Sequence, residues 1–230
     1  MTKFPLILLP GLLSDAGLWS YQCSHLSDIV DIIIPDLNHA STPDEMVSAA
    51  MIDAPPHFAL AGHSMGGWVA LEIIKRYPKR ILALGLFNTS ALPDSNEKHD
   101  FRQSMILEAE KNNFAFIINT LLNVFVYNKS VIDQVKKMLE RNILAFINQE
   151  KAMMMRGNLI NILDTITCPT LIIHSENDAI FNMQDSQLLK QKIKHATLST
   201  IKNCGHMSPM ESPDIVTQMM KVWLESIISY

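Results

Sequence analysis

Positive charge is not in surplus in this chain: 19 Lys and Arg stand against 23 Asp and Glu, a formal net charge of −4. Nothing offsets a phosphate backbone or an anionic lipid surface, so nucleic acid and membrane surfaces are poor partners. No apolar run approaches the ~18 residues that a spanning helix needs, which argues against stable membrane insertion. Cysteine is scarce, and Cys23, Cys168 and Cys204 are odd in number and lack close spacing. A disulfide scaffold or a zinc knuckle is therefore not expected, and a reducing cytoplasm fits best. Internal repeats, low-complexity tracts, linkers and glycine-rich phosphate loops are also missing. No cofactor or metal is expected, and the chain reads as one domain over 1–230.

What is present is apolar patterning. With 230 residues, 48% of them hydrophobic, the chain can bury roughly three quarters of its unfolded surface. Lys3 ahead of an apolar stretch has the look of a secretion signal. Pro5, the Pro10-Gly11 break and the lack of a small-residue cleavage site read better as a buried strand and a turn. FPLILL (4–9), IVDIIIP (29–35), HFALAG (57–62), ILALGLFN (81–88) and PTLIIHS (169–175) are nearly continuous apolar strands, and ATLSTIKN (196–203) is a weaker one. Helical segments alternate with them. Thr42-Pro43 with Glu45 reads as a capping box, Ser212-Pro213 as a second helix start, and Pro78 as a stop for the helix that begins after Ser64. The pattern predicts an α/β fold with a mostly parallel sheet covered on both faces.

The stretch from about 91 to 160 interrupts the alternation with no convincing strand. Apolar positions 131, 135, 138, 139, 143, 146 and 147 keep helical spacing, with Ser130 and Asp133 as a capping-box signature. A helical insertion over the sheet is expected. It carries Phe101, Phe114, Phe116, Phe125, Phe146 and Met153-Met154-Met155, side chains suited to packing the insertion or to lining an apolar cavity.

Gly62-His63-Ser64-Met65-Gly66 lies between a strand and a helix. A strained turn there would push Ser64 outward, with glycines where side chains would collide and a helix N-terminus behind it. A serine hydroxyl needs a positioned base, and the base an orienting acid. His206, in NCGHMSPMESPD, and Asp178, in LIIHSENDAIF, both fall at strand ends on the sheet edge where open α/β sheets bind ligands. The competing residues have simpler readings. His63 points away from Ser64, His174 is a core histidine, and Glu176 is a rival to Asp178. His174, Glu176 and Asp178 as a metal set lack a fourth ligand.

Four stretches in order carry a resemblance: LLPGLLSDAGLW (8–19), GHSMGG (62–67), CPTLIIHSENDAIF (168–181) and GHMSPMESPD (205–214). Together they resemble the α/β-hydrolase-fold serine hydrolases over nearly the whole chain. The resemblance implies Ser64 as nucleophile, His206 as base, Asp178 as orienting acid, and the backbone N–H groups of Leu12 and Met65 as the oxyanion hole. It implies cleavage of small or medium acyl esters, with the insertion as a substrate cap. Two departures stand out: Pro10-Gly11 replaces the common His-Gly, and DLNHAST (36–42) replaces a glycine-containing loop. Related chemistries include thioesterases, lyases, carbon–carbon hydrolases and carrier-protein methyl esterases, which would favour a basic cap surface; Lys129, Lys136, Lys137, Arg141, Lys151 and Arg156 supply some charge there, but nearby acids dilute it and a solvated helix face explains them equally well. A non-catalytic ligand receptor on the same fold is the alternative of another class.

Overall fold

In a computed structural model, residues 3–228 are described. Six strands form one sheet: β1 (Phe4–Leu9), β2 (Val30–Ile33), β3 (Phe58–His63), β4 (Ile81–Phe87), β5 (Thr170–Ser175) and β6 (Ala196–Ile201). All pair in parallel in the order β2-β1-β3-β4-β5-β6. The helices in chain order are α1 (Ser20–Leu26), α2 (Pro43–Met51), α3 (Met65–Arg76), α4 (Asn96–Glu110), α5 (Phe114–Phe125), α6 (Ile132–Asn142), α7 (Phe146–Met154), α8 (Ile160–Leu163), α9 (Met183–Lys192), α10 (Ser208–Glu211) and α11 (Pro213–Ile228).

Successive strand residues point to opposite faces, and here both faces are apolar. Leu6, Leu8, Ala59, Ala61, Phe87, Leu171 and Ile173 feed one buried cluster with residues of α1, α5, α6 and α11. Ile7, Leu9, Leu60, Leu84, Leu86 and Ile172 feed the other with α2, α3 and α9. All six predicted strands and the continuous α3 helix are therefore where the sequence patterning put them.

Two capping expectations need correction. Thr42 Oγ1 accepts the Glu45 amide at 3.2 Å, but the Glu45 carboxylate reaches back to Ser41 N at 2.7 Å and Ser41 Oγ at 2.8 Å rather than to Thr42. Ser130 caps nothing: Asn128 Oδ1 accepts its amide, a single 3-10 turn covers Lys129–Val131, and α6 begins at Ile132. A second 3-10 turn at Ile143–Ala145 divides the expected continuous helix into α6 and α7. The helical periodicity was unbroken because a 3-10 turn changes direction while still burying its apolar face.

Between β4 and β5 the secondary structure is helical, α4 to α8 with the two 3-10 turns. This segment is tied to the sheet layer through polar contacts: Gln149 of α7 accepts the Leu13 amide at 2.8 Å, and the Asn142 amide donates to Asp15 at 2.9 Å. Arg156, read as part of a basic surface, is instead buried against Asp94 at 2.6 Å.

Candidate active site

Ser64 sits at the junction of β3 and α3 with φ 53° and ψ −115°, a left-handed conformation that costs a non-glycine residue of order 1–3 kcal/mol. The strain is held from three sides. The Ser64 amide donates to Phe87 O at 2.9 Å, while Ser64 O accepts the Gly67 amide at 3.0 Å and the Thr89 hydroxyl at 2.8 Å. The flanking glycines are required by contact: a Cβ on Gly62 would lie 2.1 Å from Gly66 O, and one on Gly66 would lie 2.4 Å from Leu9 O.

His206 and Asp178 converge on this serine from two other strand ends. His206 Nε2 is 2.9 Å from Ser64 Oγ, and its Nδ1 is 3.0 Å from each carboxylate oxygen of Asp178. The contact order therefore runs Ser64, His206, Asp178. Burial raises the Asp178 pKa, but His206, the Asn88 amide and the Ile180 amide outweigh it, and the group ends lowered to about 2. It is a carboxylate at any ordinary pH and accepts the Nδ1 proton, which leaves Nε2 of a neutral His206 free to accept from the serine hydroxyl.

Several residues in this assembly carried no sequence signal of their own. Asn88, at φ 48°, donates to Asp178 Oδ2 at 2.9 Å and Ser175 Oγ at 3.0 Å, and accepts from Ser208 Oγ at 2.6 Å. Glu211, 7% exposed, accepts the amides of Gly205, Met207, Tyr127 and Asn128 at 3.1, 3.0, 3.1 and 2.7 Å. A Cβ on Gly205 would lie 2.7 Å from both Glu211 Oε1 and Tyr127 N, so the histidine turn and the end of α5 approach backbone to backbone.

The competing residues take other places. His63 Nε2 donates to His206 O at 2.7 Å; burial lowers its pKa to about 3, so it is a neutral prop under the base. His174 is buried with Nδ1 3.2 Å from Ser186 Oγ. Glu176 accepts the Asn203 amide at 3.3 Å and lies outside the His206 bonds. Among the described residues no cluster of three His, Cys, Asp or Glu could hold a metal.

Leu12 and Met65 flank the serine. Met65 opens α3, where the first amides of a helix lack intrahelical partners and carry the positive dipole end. Leu12 lines the same cavity as Ser64, and the next residue, Leu13 at φ 53°, is fixed by Gln149.

The cavity over Ser64 measures about 210 Å³ and is walled by Leu121, Val124 and Phe125 of α5, Met153 of α7, and Ile180 and Phe181 beyond β5. Phe101, Arg102 and Glu150 line it as well. Of the other aromatic and methionine side chains singled out, Phe146 is fully buried in the core, while Phe116 and Met155 are 48% and 61% exposed. A larger groove of about 350 Å³ between β6 and α11 is lined by Thr197, Gln218 and Trp223 and does not include Ser64. The Phe125 and Phe181 rings stand 5.2 and 5.8 Å from the His206 ring, so the base works against an apolar wall.

A serine on a strained turn, a histidine at hydrogen-bond reach and a buried carboxylate behind it form the constellation of nucleophilic acyl transfer. Comparison with known proteins agrees in fold and family. The alpha/beta hydrolase family matches residues 6–218. The chain belongs to that family. It is an enzyme of the ester-hydrolysing type, and the relatives it matches are named esterases or hydrolases. A pimeloyl-[acyl-carrier protein] methyl ester esterase of Nitrosospira multiformis is 25% identical, with 91% of this chain and 90% of that protein covered. An Acinetobacter baylyi (E)-2-((N-methylformamido)methylene)succinate hydrolase is 24% identical over 96% of this chain and 90% of its own. Among solved structures, a thermophilic esterase from Thermogutta terrifontis superposes with a TM-score of 0.89 at 24% identity, covering 98% of this chain and 91% of that one. In this α/β hydrolase no described helix is long and apolar enough to cross a membrane.

Proposed function

We propose that this α/β hydrolase cleaves carboxylic esters of small or medium acyl groups, with Ser64 as nucleophile, His206 as base and Asp178 as orienting acid. The observation that carries the reading is the unbroken chain of contacts from Ser64 Oγ to His206 Nε2 at 2.9 Å and from His206 Nδ1 to Asp178 at 3.0 Å.

His206 takes the Ser64 proton as the hydroxyl oxygen bonds to the ester carbonyl carbon. The amides of Leu12 and Met65 receive the oxyanion, and the imidazolium, stabilised by Asp178, returns the proton to the departing alcohol. Water attacks the acyl-enzyme, giving its proton to His206, which passes it to Ser64 as the acid leaves. No cofactor takes part. The helices between β4 and β5 act as the cap of a single domain, with α5 and α7 supplying the acyl wall. Three free thiols support a cytoplasmic location.

The narrower reading, a methyl ester on a carrier-bound acyl group, is supported by the relatives named for that reaction in Nitrosospira multiformis and Nitrosomonas europaea. Thioester cleavage would use the same machinery. A ligand receptor, by contrast, has no need of the Ser64–His206 bond.

The test is hydrolysis of p-nitrophenyl esters from acetyl to lauroyl by the wild type and by Ser64→Ala. Turnover lost in a folded Ser64→Ala supports the assignment. Hydrolysis retained in a clean preparation of that variant defeats it, and a wild type that binds esters without turnover favours the receptor.

A further inference from the structure

Arg102 of α4 and Glu150 of α7 put an ion pair into the wall of the cavity that contains Ser64. Their side chains are only 14% and 4% exposed, and Arg102 Nη1 donates to Glu150 Oε2 at 2.6 Å. Arg102 Nε donates to Asp94 at 2.6 Å, and Arg156 approaches the same Asp94 from the other side at 2.6 Å. Taking two charges from water into an apolar wall costs several kcal/mol per ion, and a packed hydrophobic pair would do as well or better for stability. An ion pair at this place calls for a reason other than stability.

The unused valences supply one. Among the described residues, Arg102 Nη2 and Glu150 Oε1 make no hydrogen bond. Neither is among the enclosed, partnerless polar atoms, which include Arg156 Nε, so both keep contact with open space. Both residues line the cavity, with Leu121, Val124, Phe125 and Met153 lining the same space as Ser64, so this donor and this acceptor are the valences the pair has left for a ligand.

We propose that the Arg102–Glu150 pair is a subsite for a neutral polar group, a hydroxyl or an amide, carried on the substrate's acyl chain. This rests on the ester-hydrolase reading of Ser64 and names its substrate class. The charges decide among substituents. A carboxylate would accept from Nη2 but face Glu150, and an ammonium would donate to Oε1 but face Arg102. A hydroxyl or amide both donates and accepts, and so satisfies the two atoms together. The remaining cation of the wall, Lys98, one turn before Arg102 on α4 and lining the same cavity, is exposed, donates to Ile180 O at 3.3 Å and lies 5.2 Å over the Phe181 ring.

The experiment compares kcat/KM of the wild-type chain for the p-nitrophenyl esters of hexanoic acid, 6-hydroxyhexanoic acid and adipic acid (monoester). The hydroxy ester is expected to exceed the hexanoate about tenfold, the scale of a hydrogen bond to a charged group. In Glu150→Met, where Arg102 keeps Asp94, that preference should fall to about one and the adipate monoester should gain. A wild-type ratio near one, or a preference for the adipate monoester, overturns the subsite and leaves selection to the apolar walls or to Lys98. If the wild type hydrolyses none of the three, the esterase reading fails by itself. The subsite is then decided by NMR titration of Ser64→Ala with 1,6-hexanediol against 1-hexanol. Tighter diol binding sustains it, and equal or weaker binding sinks it.

Discussion

The Glu211 carboxylate bonds the Gly205 amide at 3.1 Å, and its remaining bonds go to the Met207 amide at 3.0 Å and to Tyr127 and Asn128 beyond α5 at 3.1 and 2.7 Å. The two residues next to His206 in the chain are thereby tied to the end of the helix whose Phe125 faces the imidazole. Charge-assisted bonds of this kind are about twice as strong as neutral ones, and here they set the position of a backbone rather than of a side chain.

Glu211→Gln keeps the shape but replaces one acceptor oxygen with a donor, so at least one amide loses its partner. We expect kcat on p-nitrophenyl acetate to fall about tenfold with KM little changed, because Glu211 is not among the residues that line the cavity over Ser64. Steady-state kinetics on protein whose circular dichroism matches the wild type tests this. A kcat within twofold of wild type would mean that the histidine turn holds its geometry unaided.

Asp178 and Glu176 differ by two positions in the sequence and stand in different environments in the fold. Asp178→Asn should reduce kcat by three to four orders of magnitude, roughly the loss expected when the orienting acid no longer selects the histidine tautomer. Glu176→Gln should stay within about twofold, since among the described residues its carboxylate accepts from the Asn203 amide and makes no bond to His206. Equal losses in the two variants would contradict the assignment of the acid.

The strands, the elbow and the meeting of Ser64, Asp178 and His206 could be read from sequence because each rests on local chemistry: apolar runs, a Gly-x-Ser-x-Gly turn, and residues just past strand ends. The supports of the site could not. Asn88, Glu211 and Gln149 act through partners 83 to 136 residues away, and nothing in a local window marks a polar residue whose partner lies that far along the chain. The burial of Arg156 is hidden from the sequence for a related reason. On a helix-rich stretch it resembles any solvated cation, and only the fold brings Asp94 against it. The two 3-10 turns escaped because they preserve apolar periodicity while breaking the helix.

Acid should destabilise the protein well above the range of ordinary carboxylates. Burial lowers the His63 pKa from 6.5 to about 3, so between those values the unfolded chain binds a proton that the folded one does not. Stability contributed by neutral His63 is complete above pH 6.5 and is lost as pH falls toward 3, at up to about 1.4 kcal/mol per pH unit. Asp178, lowered from 3.8 to about 2, adds a second loss only below about pH 4. In His63→Gln, whose amide can donate to His206 O, the slope between pH 6.5 and 4 should flatten even if the variant is less stable at pH 7. Urea denaturation at half-unit pH steps measures it, and an unchanged slope would assign the acid sensitivity to another group.

Asp94 is the anchor of the buried charge network, accepting from Arg102 and Arg156 at 2.6 Å each. Replacing it with alanine leaves Arg156, whose side chain is 2% exposed, without a hydrogen-bonded counter-ion, while Arg102 retains Glu150. Breaking one partner of a buried ion pair costs about 3–5 kcal/mol, and Asp94→Ala should lose that much in urea denaturation. The surface pair Lys111–Glu108, with the lysine 67% exposed, is the control: Lys111→Ala should change stability by less than about 0.5 kcal/mol. The contrast matters because Arg102 holds its position in the cavity wall partly through Asp94. Asp94→Ala should therefore also weaken any preference for a hydroxylated acyl chain, and a folded variant that keeps the full preference would show that Glu150 alone sets the Arg102 guanidinium.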